Sequence, residues 1–339
     1  MKALVVGFGS IGKRHARNLV DILGEEVSVF DIASLDFSSI NRELASKINV
    51  IHDYQALKKS HFDVAIICTP NSTHLKYMEE LGDKGTHLLI EKPISSSLDG
   101  VRDVLERIGS KGIINMVACN LRFHPAAVTI KKIMNGGDMG KLYFVHSEYG
   151  NYLPYQRTGV DYKKVYAADN REGGIILDAI HEINLLRWFV DEVIECDCWG
   201  YYTGSLDIAG YDLAFAILKF SSGVVTEMRV DCLQKSRRRF YEFVFEKGTI
   251  LWESTGKSPE FCEVRLYNDN QKMWKIIYKD SGYDLNKMYV EELRYFIECV
   301  NKGEKTCNSG WEGLRDLEVA LTLKQKASER STSIHGIKP

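Results

Sequence analysis

Ala3-Leu4-Val5-Val6-Gly7-Phe8-Gly9-Ser10-Ile11-Gly12 is the stretch whose reading decides the fold. Four apolar residues run into a glycine turn, and helical spacing follows over residues 11–23. Strand, glycine turn and helix in that order open a parallel βαβ unit. Gly7 permits the tight turn, Gly9 lets the backbone approach a pyrophosphate, and Gly12 allows the helix to pack closely on the sheet. The N–H groups at the helix start, around Ser10 and Ile11, then hold phosphate oxygens. Asp31 closes a second strand at 27–31. A carboxylate there accepts both adenosine ribose hydroxyls and repels the extra phosphate of NADP, so NAD is expected over NADP. Lys13 and Arg14 read as the wet side of the first helix, with contact to a second phosphate as the alternative.

The same alternation continues outward. Strands are expected at 64–68, 87–91 and 113–118, with helices at 40–47, 73–84 and 100–109. Repeated βα order implies a mostly parallel sheet with both faces covered. After Asn120 the pattern changes. A helix at 126–134, a strand at 142–149, a polar and aromatic segment at 151–171 and a helix at 175–190 lead into strand-like runs. These lie at 195–202, 211–220, 224–232 and 240–246, with shorter ones at 248–253, 262–267 and 273–278. Strands that meander without intervening helices imply an antiparallel sheet. Helices return at 287–300 and 311–328. Two domains are therefore expected, 1–120 and 121–330, with a short, loosely held polar tail at 331–339. The meander offers more sheet face than the helices at 126–134 and 175–190 can cover, so a homodimer or homotetramer is expected.

Composition excludes some classes. Lys plus Arg is 44 and Asp plus Glu is 46, a net charge of −2, so no chain-wide basic footprint for nucleic acid exists. No apolar run is long enough to span a bilayer, and no membrane association is expected. The N-terminal stretch lacks the apolar core and cleavage site of a signal peptide, which points to the cytoplasm. Eight cysteines in 339 residues are too sparse for a disulfide scaffold and read as reduced, mostly structural thiols. Without an H-E-x-x-H motif or paired C-x-x-C motifs, no metal is expected.

Candidate site residues gather at a few places. Glu91-Lys92-Pro93 stands at the carboxyl end of a strand, where ligands of parallel sheets bind. Pro93 holds Lys92 in extended geometry. A lysine beside a nicotinamide can exchange a proton with a substrate hydroxyl, although an exposed surface lysine is the competing reading. Thr69-Pro70-Asn71 ends another strand and is placed to contact cofactor, with His74 close behind. Asn120 can hydrogen-bond a ribose, carboxamide or sugar hydroxyl. Arg122 and His124 read equally as substrate contacts or as domain-junction residues. Gly173-Gly174 precedes an apolar helix with Asp178 and His181 on one face, a carboxylate and imidazole able to orient a hydroxyl and shuttle its proton. A satisfied core histidine is the alternative, and Glu182 reads as support. Tyr152, Tyr155, Gln156 and Arg157 suit a polyhydroxylated ligand or a subunit interface. Arg237-Arg238-Arg239 reads as a solvated basic turn or a diphosphate clamp.

Together these residues resemble the glucose–fructose oxidoreductase and inositol dehydrogenase (Gfo/Idh/MocA) family of NAD(P)-dependent sugar oxidoreductases, over almost the whole chain. The glycine turn, Cys68-Thr69-Pro70-Asn71 with His74, Glu91-Lys92-Pro93, Asn120 with Arg122, and the Gly173-Gly174 helix with Asp178 and His181 come in that family's order. The resemblance implies a Rossmann domain followed by an α/β domain on an open, largely antiparallel sheet that often forms dimer or tetramer contacts. It implies hydride transfer between NAD and a hydroxyl of a sugar, nucleotide-sugar or cyclitol, with Lys92 as the main catalytic residue. His181 would be the proton carrier or substrate orienter, supported by Asp178. Many members place the acid four residues before the histidine, and here the separation is three. Asn184 also stands where members often carry an acid. A sugar epimerase or lyase that retains NAD, and a cofactor-bound sensor without turnover, are the competing functions. The retained Lys92 and His181 weigh against the sensor.

Overall fold

The computed structural model spans residues 1–339. Its described residues are all of these except 34, 36, 39, 157, 158, 171, 172, 258, 331 and 334–339, with backbone alone at 332 and 333. The chain forms two compact units: Met1–Asn120 with Asn286–Leu317, and Leu121–Leu285 with Glu318–Pro339. Residues 286–317 thus group with the first unit and not with the second domain expected at 121–330.

The first unit is built on β1 (Ala3–Val6), α1 (Ser10–Leu23), β2 (Val27–Phe30), α2 (Arg42–Ser46), β3 (Ile48–Ile51) and α3 (Tyr54–Lys59). It continues through β4 (Val64–Ile67), α4 (His74–Gly82), β5 (His87–Glu91), α5 (Val101–Ser110) and β6 (Asn115–Ala118). All six strands are parallel, in the order β3-β2-β1-β4-β5-β6. Chain order reverses between β1 and β4, and ligands of such sheets bind at that point, outside the strand carboxyl ends. β1 and β4 are buried along their whole length, as strands covered on both faces must be. β3 and α3 go beyond the sequence expectation. Ile48-Asn49-Val50-Ile51 buries only Ile51, so it presents no continuous apolar run.

The second unit opens with α6 (Pro125–Gly136) and β7 (Leu142–Tyr152). The expected single helix at 175–190 is two: α7 (Gly174–Asp178) and α8 (Ile180–Phe189). Ala179 between them has ψ 16° and its carbonyl accepts the Glu182 N–H, a tight turn that re-aims the second helix. Then come β8 (Val193–Tyr202), β9 (Leu213–Phe220), β10 (Val225–Asp231), β11 (Leu233–Phe245), β12 (Gly248–Gly256), β13 (Glu260–Asn268) and β14 (Met273–Tyr283). With a two-residue β15 (Thr332–Ser333) parallel to β8, the sheet order is β14-β13-β12-β11-β7-β10-β9-β8-β15. β7 and β10 also run parallel, and the remaining neighbours are antiparallel. Part of the tail expected to be loose is therefore paired into the sheet. Tyr241, Phe243, Ile250 and Trp252 alternate onto one face and are fully buried. Phe189 of α8 meets Tyr241 and Phe243 edge-on, so the core lies between this face and the helix.

The chain then rejoins the first unit through α9 (Asn286–Lys302) and the start of α10 (Gly310–Glu329). Asn286 and Asn18 exchange side-chain amide hydrogen bonds, tying α9 to α1. Asn308 and Thr306 bond the β6 backbone at Val117 and Asn115, covering that sheet edge. The eight cysteines are unbridged thiols, and burial pushes Cys262 up to about 11 and Cys198 up to about 12. Among the described residues no helix is long and apolar enough to cross a membrane.

Candidate active site

The glycine turn is shaped by close approach. Gly7 has φ 92°, and a Cβ there would sit 2.7 Å from the Cys68 carbonyl oxygen. A Cβ at Gly12 would sit 1.9 Å from the Gly7 carbonyl, so helix and turn touch through backbone alone. Gly9 is different: a Cβ would meet nothing within 4 Å, so the turn is open there. Gly9 caps α1 without a side-chain acceptor, and the first turn carries no acid. The Ser10 and Ile11 end of α1 therefore offers its backbone donors and positive dipole end to an anion. Asp31 follows β2 and braces the turn, accepting Phe8 N–H at 2.6 Å and Ala33 N–H at 2.9 Å. Each carboxylate oxygen keeps a further lone-pair site for a ribose hydroxyl. Open cradle, bare helix start and braced acid fit an NAD dinucleotide.

Thr69, Lys92 and Asn120 follow β4, β5 and β6 at the same carboxyl edge of this sheet. Thr73 Oγ1 bonds the Pro70 carbonyl at 2.7 Å and Thr69 Oγ1 at 2.9 Å, fixing the Thr69-Pro70-Asn71 turn. His74, expected to touch cofactor, is 1% exposed and lies behind that turn, its ring nitrogens directed at the Thr69 and Pro93 carbonyls. Lys92 is half-buried. Glu91 pairs with buried His15 at 2.7 Å, and the His15 ring meets Tyr289 of α9 edge-on. Burial raises the Tyr289 pKa, Glu91 adds to this, and the charges of Arg14 and Lys92 oppose it. Glu292 of α9 is fully buried. Burial and then Glu91 push its carboxyl well above the usual range, against the Cys119 backbone amide.

In the second unit, a Cβ at Gly173 would strike the Tyr166 ring at 2.2 Å, and Gly174 has φ 76°. That close packing explains the glycine pair. Asp178 ends α7 and His181 lies in the first turn of α8, so they do not share one continuous helix. Glu182 is buried and accepts from Arg239 at 2.8 Å and from the Tyr241 hydroxyl at 2.5 Å, which anchors α8 beside His181. Gln156, Asp178, Asn151, Tyr149 and Asp231 line a small surface pocket. Tyr152 and Tyr155 pack edge-to-face at 4.7 Å, and Tyr155 is largely exposed. Arg157 lies outside the described residues.

Other candidates have protein partners. Arg122 is buried, bonds Asn184 at 2.7 Å and lies over the Trp188 ring. His124 pairs with Glu260 at 2.8 Å and caps α6 through Ala126 N–H. Arg237, Arg238 and Arg239 stand inside β11 and not in a turn. They pair with Glu260, with Glu148 and Glu253, and with Glu182. Each guanidinium already faces a carboxylate, and the strand placement corrects the solvated-turn reading.

Comparison with known proteins agrees with this division. The pattern described as "Oxidoreductase family, NAD-binding Rossmann fold" matches residues 1–119, and the "GFO/IDH/MocA C-terminal domain" matches residues 127–251. The chain belongs to the Gfo/Idh/MocA family of oxidoreductases. It is 24% identical to the myo-inositol 2-dehydrogenase of Thermotoga maritima, covering 97% of each chain. It is also 24% identical to the scyllo-inositol 2-dehydrogenase (NAD(+)) of Bacillus subtilis, covering 95% of this chain and 92% of that one. Among solved structures, levoglucosan dehydrogenase in complex with NADH and levoglucosan shares the fold, with TM-score 0.82, 16% identity and 98% coverage of both chains.

As a Gfo/Idh/MocA protein this is an NAD-dependent oxidoreductase enzyme. Sequence reasoning located the glycine turn, Asp31 and Lys92 because each follows a strand end. It passed over His15 and Glu292, and it read Arg239 as part of a turn or clamp and not as the partner of Glu182. Their partners are supplied by distant strands and helices, and no local spacing announces them.

Proposed function

We propose that this enzyme oxidises a secondary hydroxyl of an unphosphorylated cyclitol or free sugar to the ketone, or runs the reverse reduction. The observation that carries the reading is the alignment of Gly7–Gly12, Asp31, Thr69 and Lys92 along the carboxyl edge of one parallel sheet. Bound NAD supplies the acceptor for the hydride leaving the carbinol carbon. Lys92 in its neutral form takes the proton from the substrate hydroxyl, and its ammonium returns it in reduction. His181 orients the hydroxyl and passes the proton on, with Asp178 accepting hydrogen bonds from neighbouring hydroxyls. In oxidation the C–H pair leaves as hydride, the O–H proton goes to the side chains, and the C=O bond forms.

Two features favour an uncharged polyol over a nucleotide-sugar. The arginine triplet is engaged by carboxylates, and Asp178, Asp231 and Gln156 at one small pocket present acceptors that suit hydroxyl donors. The named activities of the two inositol dehydrogenases support the cyclitol class. We further assign the outer face of the nine-stranded sheet to homo-oligomer contact. Phe144 and Val225, opposite one another on β7 and β10, are both exposed there, as are Ile217 and Trp274. The test of substrate class is a panel of inositol stereoisomers, free hexoses and nucleotide-sugars with NAD, read at the NADH absorbance band. NADH formation at least about tenfold faster with a cyclitol or free sugar than with any nucleotide-sugar is expected. A preference for a nucleotide-sugar, or isomerised product without net NADH, contradicts the proposal.

A further inference from the structure

His74 occupies an unusual position for a buried histidine. Its Nε2 lies 2.8 Å from the Thr69 carbonyl and its Nδ1 lies 3.0 Å from the Pro93 carbonyl. Thr69 opens the turn after β4, and a Cβ on Gly7 of the cofactor cradle would sit 2.7 Å from the Cys68 carbonyl oxygen and 2.9 Å from the Thr69 nitrogen. Pro93 follows Lys92 directly after β5. One rigid ring therefore spans the cofactor turn and the lysine-bearing segment. Burial lowers the His74 pKa, and the Thr69, Pro93 and Ile94 backbones together with Glu91 offset this only in part. A neutral imidazole carries one N–H and can donate to only one of the two carbonyls at a time. Its two tautomers hold different segments.

We propose that His74 is a positioning residue that couples the Thr69–Asn71 cofactor turn to the Lys92-Pro93 segment by bridging one backbone carbonyl of each. In one tautomer Nε2–H clasps Thr69, and in the other Nδ1–H clasps Pro93. Cofactor pressing on the turn shifts the balance between them, so the placement of Lys92 responds to NAD occupancy. The inference rests on Lys92 being the functional end of its segment. Its test reads NADH affinity and lysine reactivity, and so fails separately from any failure of turnover.

The two contacts can be removed one at a time. In His74→Gln the side-chain amide reaches about as far as Nε2, keeping a donor for Thr69 and losing the one for Pro93. His74→Asn reaches about as far as Nδ1 and does the reverse. NADH affinity is measured by fluorescence. The pH profile of Lys92 acylation in the cofactor-free protein is measured by mass spectrometry. His74→Asn is expected to weaken NADH binding about fivefold to tenfold, the worth of one lost hydrogen bond, with the Lys92 profile unchanged. His74→Gln is expected to shift the Lys92 profile by about half a pH unit or more, with NADH affinity retained. In the unmodified protein, NADH should move the His74 imidazole ¹⁵N signals between tautomers, a readout that needs no variant to fold. Both readouts moving together in both variants, neither moving, the two moving in the reverse pattern, or His74 signals that ignore NADH would overturn the proposal.

Discussion

At the scale of single residues, the first unit concentrates titratable groups behind Lys92. Glu292 is the sharpest case. Among the described residues neither of its oxygens makes a hydrogen bond of good geometry, though the Cys119 amide favours its ionised form. Burial and the nearby Glu91 charge raise its pKa in the folded protein, so the folded state binds a proton that the unfolded chain gives up near the ordinary value of about 4. Stability linked to this group is full below that value and is lost as pH rises toward the folded pKa. Glu292→Gln removes the titration. Its melting temperature should match wild type near pH 4 and exceed it by a few degrees at pH 8. Thermal melts at both values check this, and equal destabilisation at both would count against a neutral buried acid. The placement of the glycine turn and of Asp31 was legible in the sequence because strand, turn, helix and second strand follow one another in a fixed order. Glu292 was not legible, because its surroundings come from distant segments, Glu91 of β5 and the Cys119 amide just after β6.

At the scale of elements, apolar strands such as β1, β4 and β5 announced themselves, since strands buried on both faces are continuous hydrophobic runs. The break at Ala179 did not, because residues 175–190 contain neither glycine nor proline. It places Asp178 and His181 in successive helices, so the three-residue spacing says little about their mutual geometry. Likewise Lys235-Ser236-Arg237-Arg238-Arg239 has the composition of a turn, yet it is strand. Carboxylates on β7, β12, β13 and α8 receive the arginines. The Arg239–Glu182 pair is the buried member of this set. Arg239→Met leaves the Glu182 charge without its cation and should cost about 3–5 kcal/mol in urea unfolding. The double variant with Glu182→Gln should cost less than the sum of the single changes. Additive losses would mean the pair does not act as a unit in holding α8.

At the scale of the whole molecule, the two-part organisation was readable from the change of pattern after Asn120. The return of 286–317 to the first unit was not, because helices at the chain end carry no signal of which sheet they cover. The exposed pair Phe144 and Val225 leads to a prediction for assembly. Light scattering at micromolar concentration should give a dimer or tetramer, and Phe144→Asp with Val225→Asp should shift it toward monomer without loss of NADH binding. A wild-type monomer would remove the assignment of that face. The central claim is that Lys92 moves the proton while the glycine turn and Asp31 hold the cofactor. Its most direct test compares wild type and Lys92→Met, with NAD and the best cyclitol or sugar from the panel, in single-turnover mixing. The account predicts NADH affinity close to wild type and hydride transfer slower by about two orders of magnitude. Hydride transfer at the wild-type rate in a folded Lys92→Met protein would contradict it.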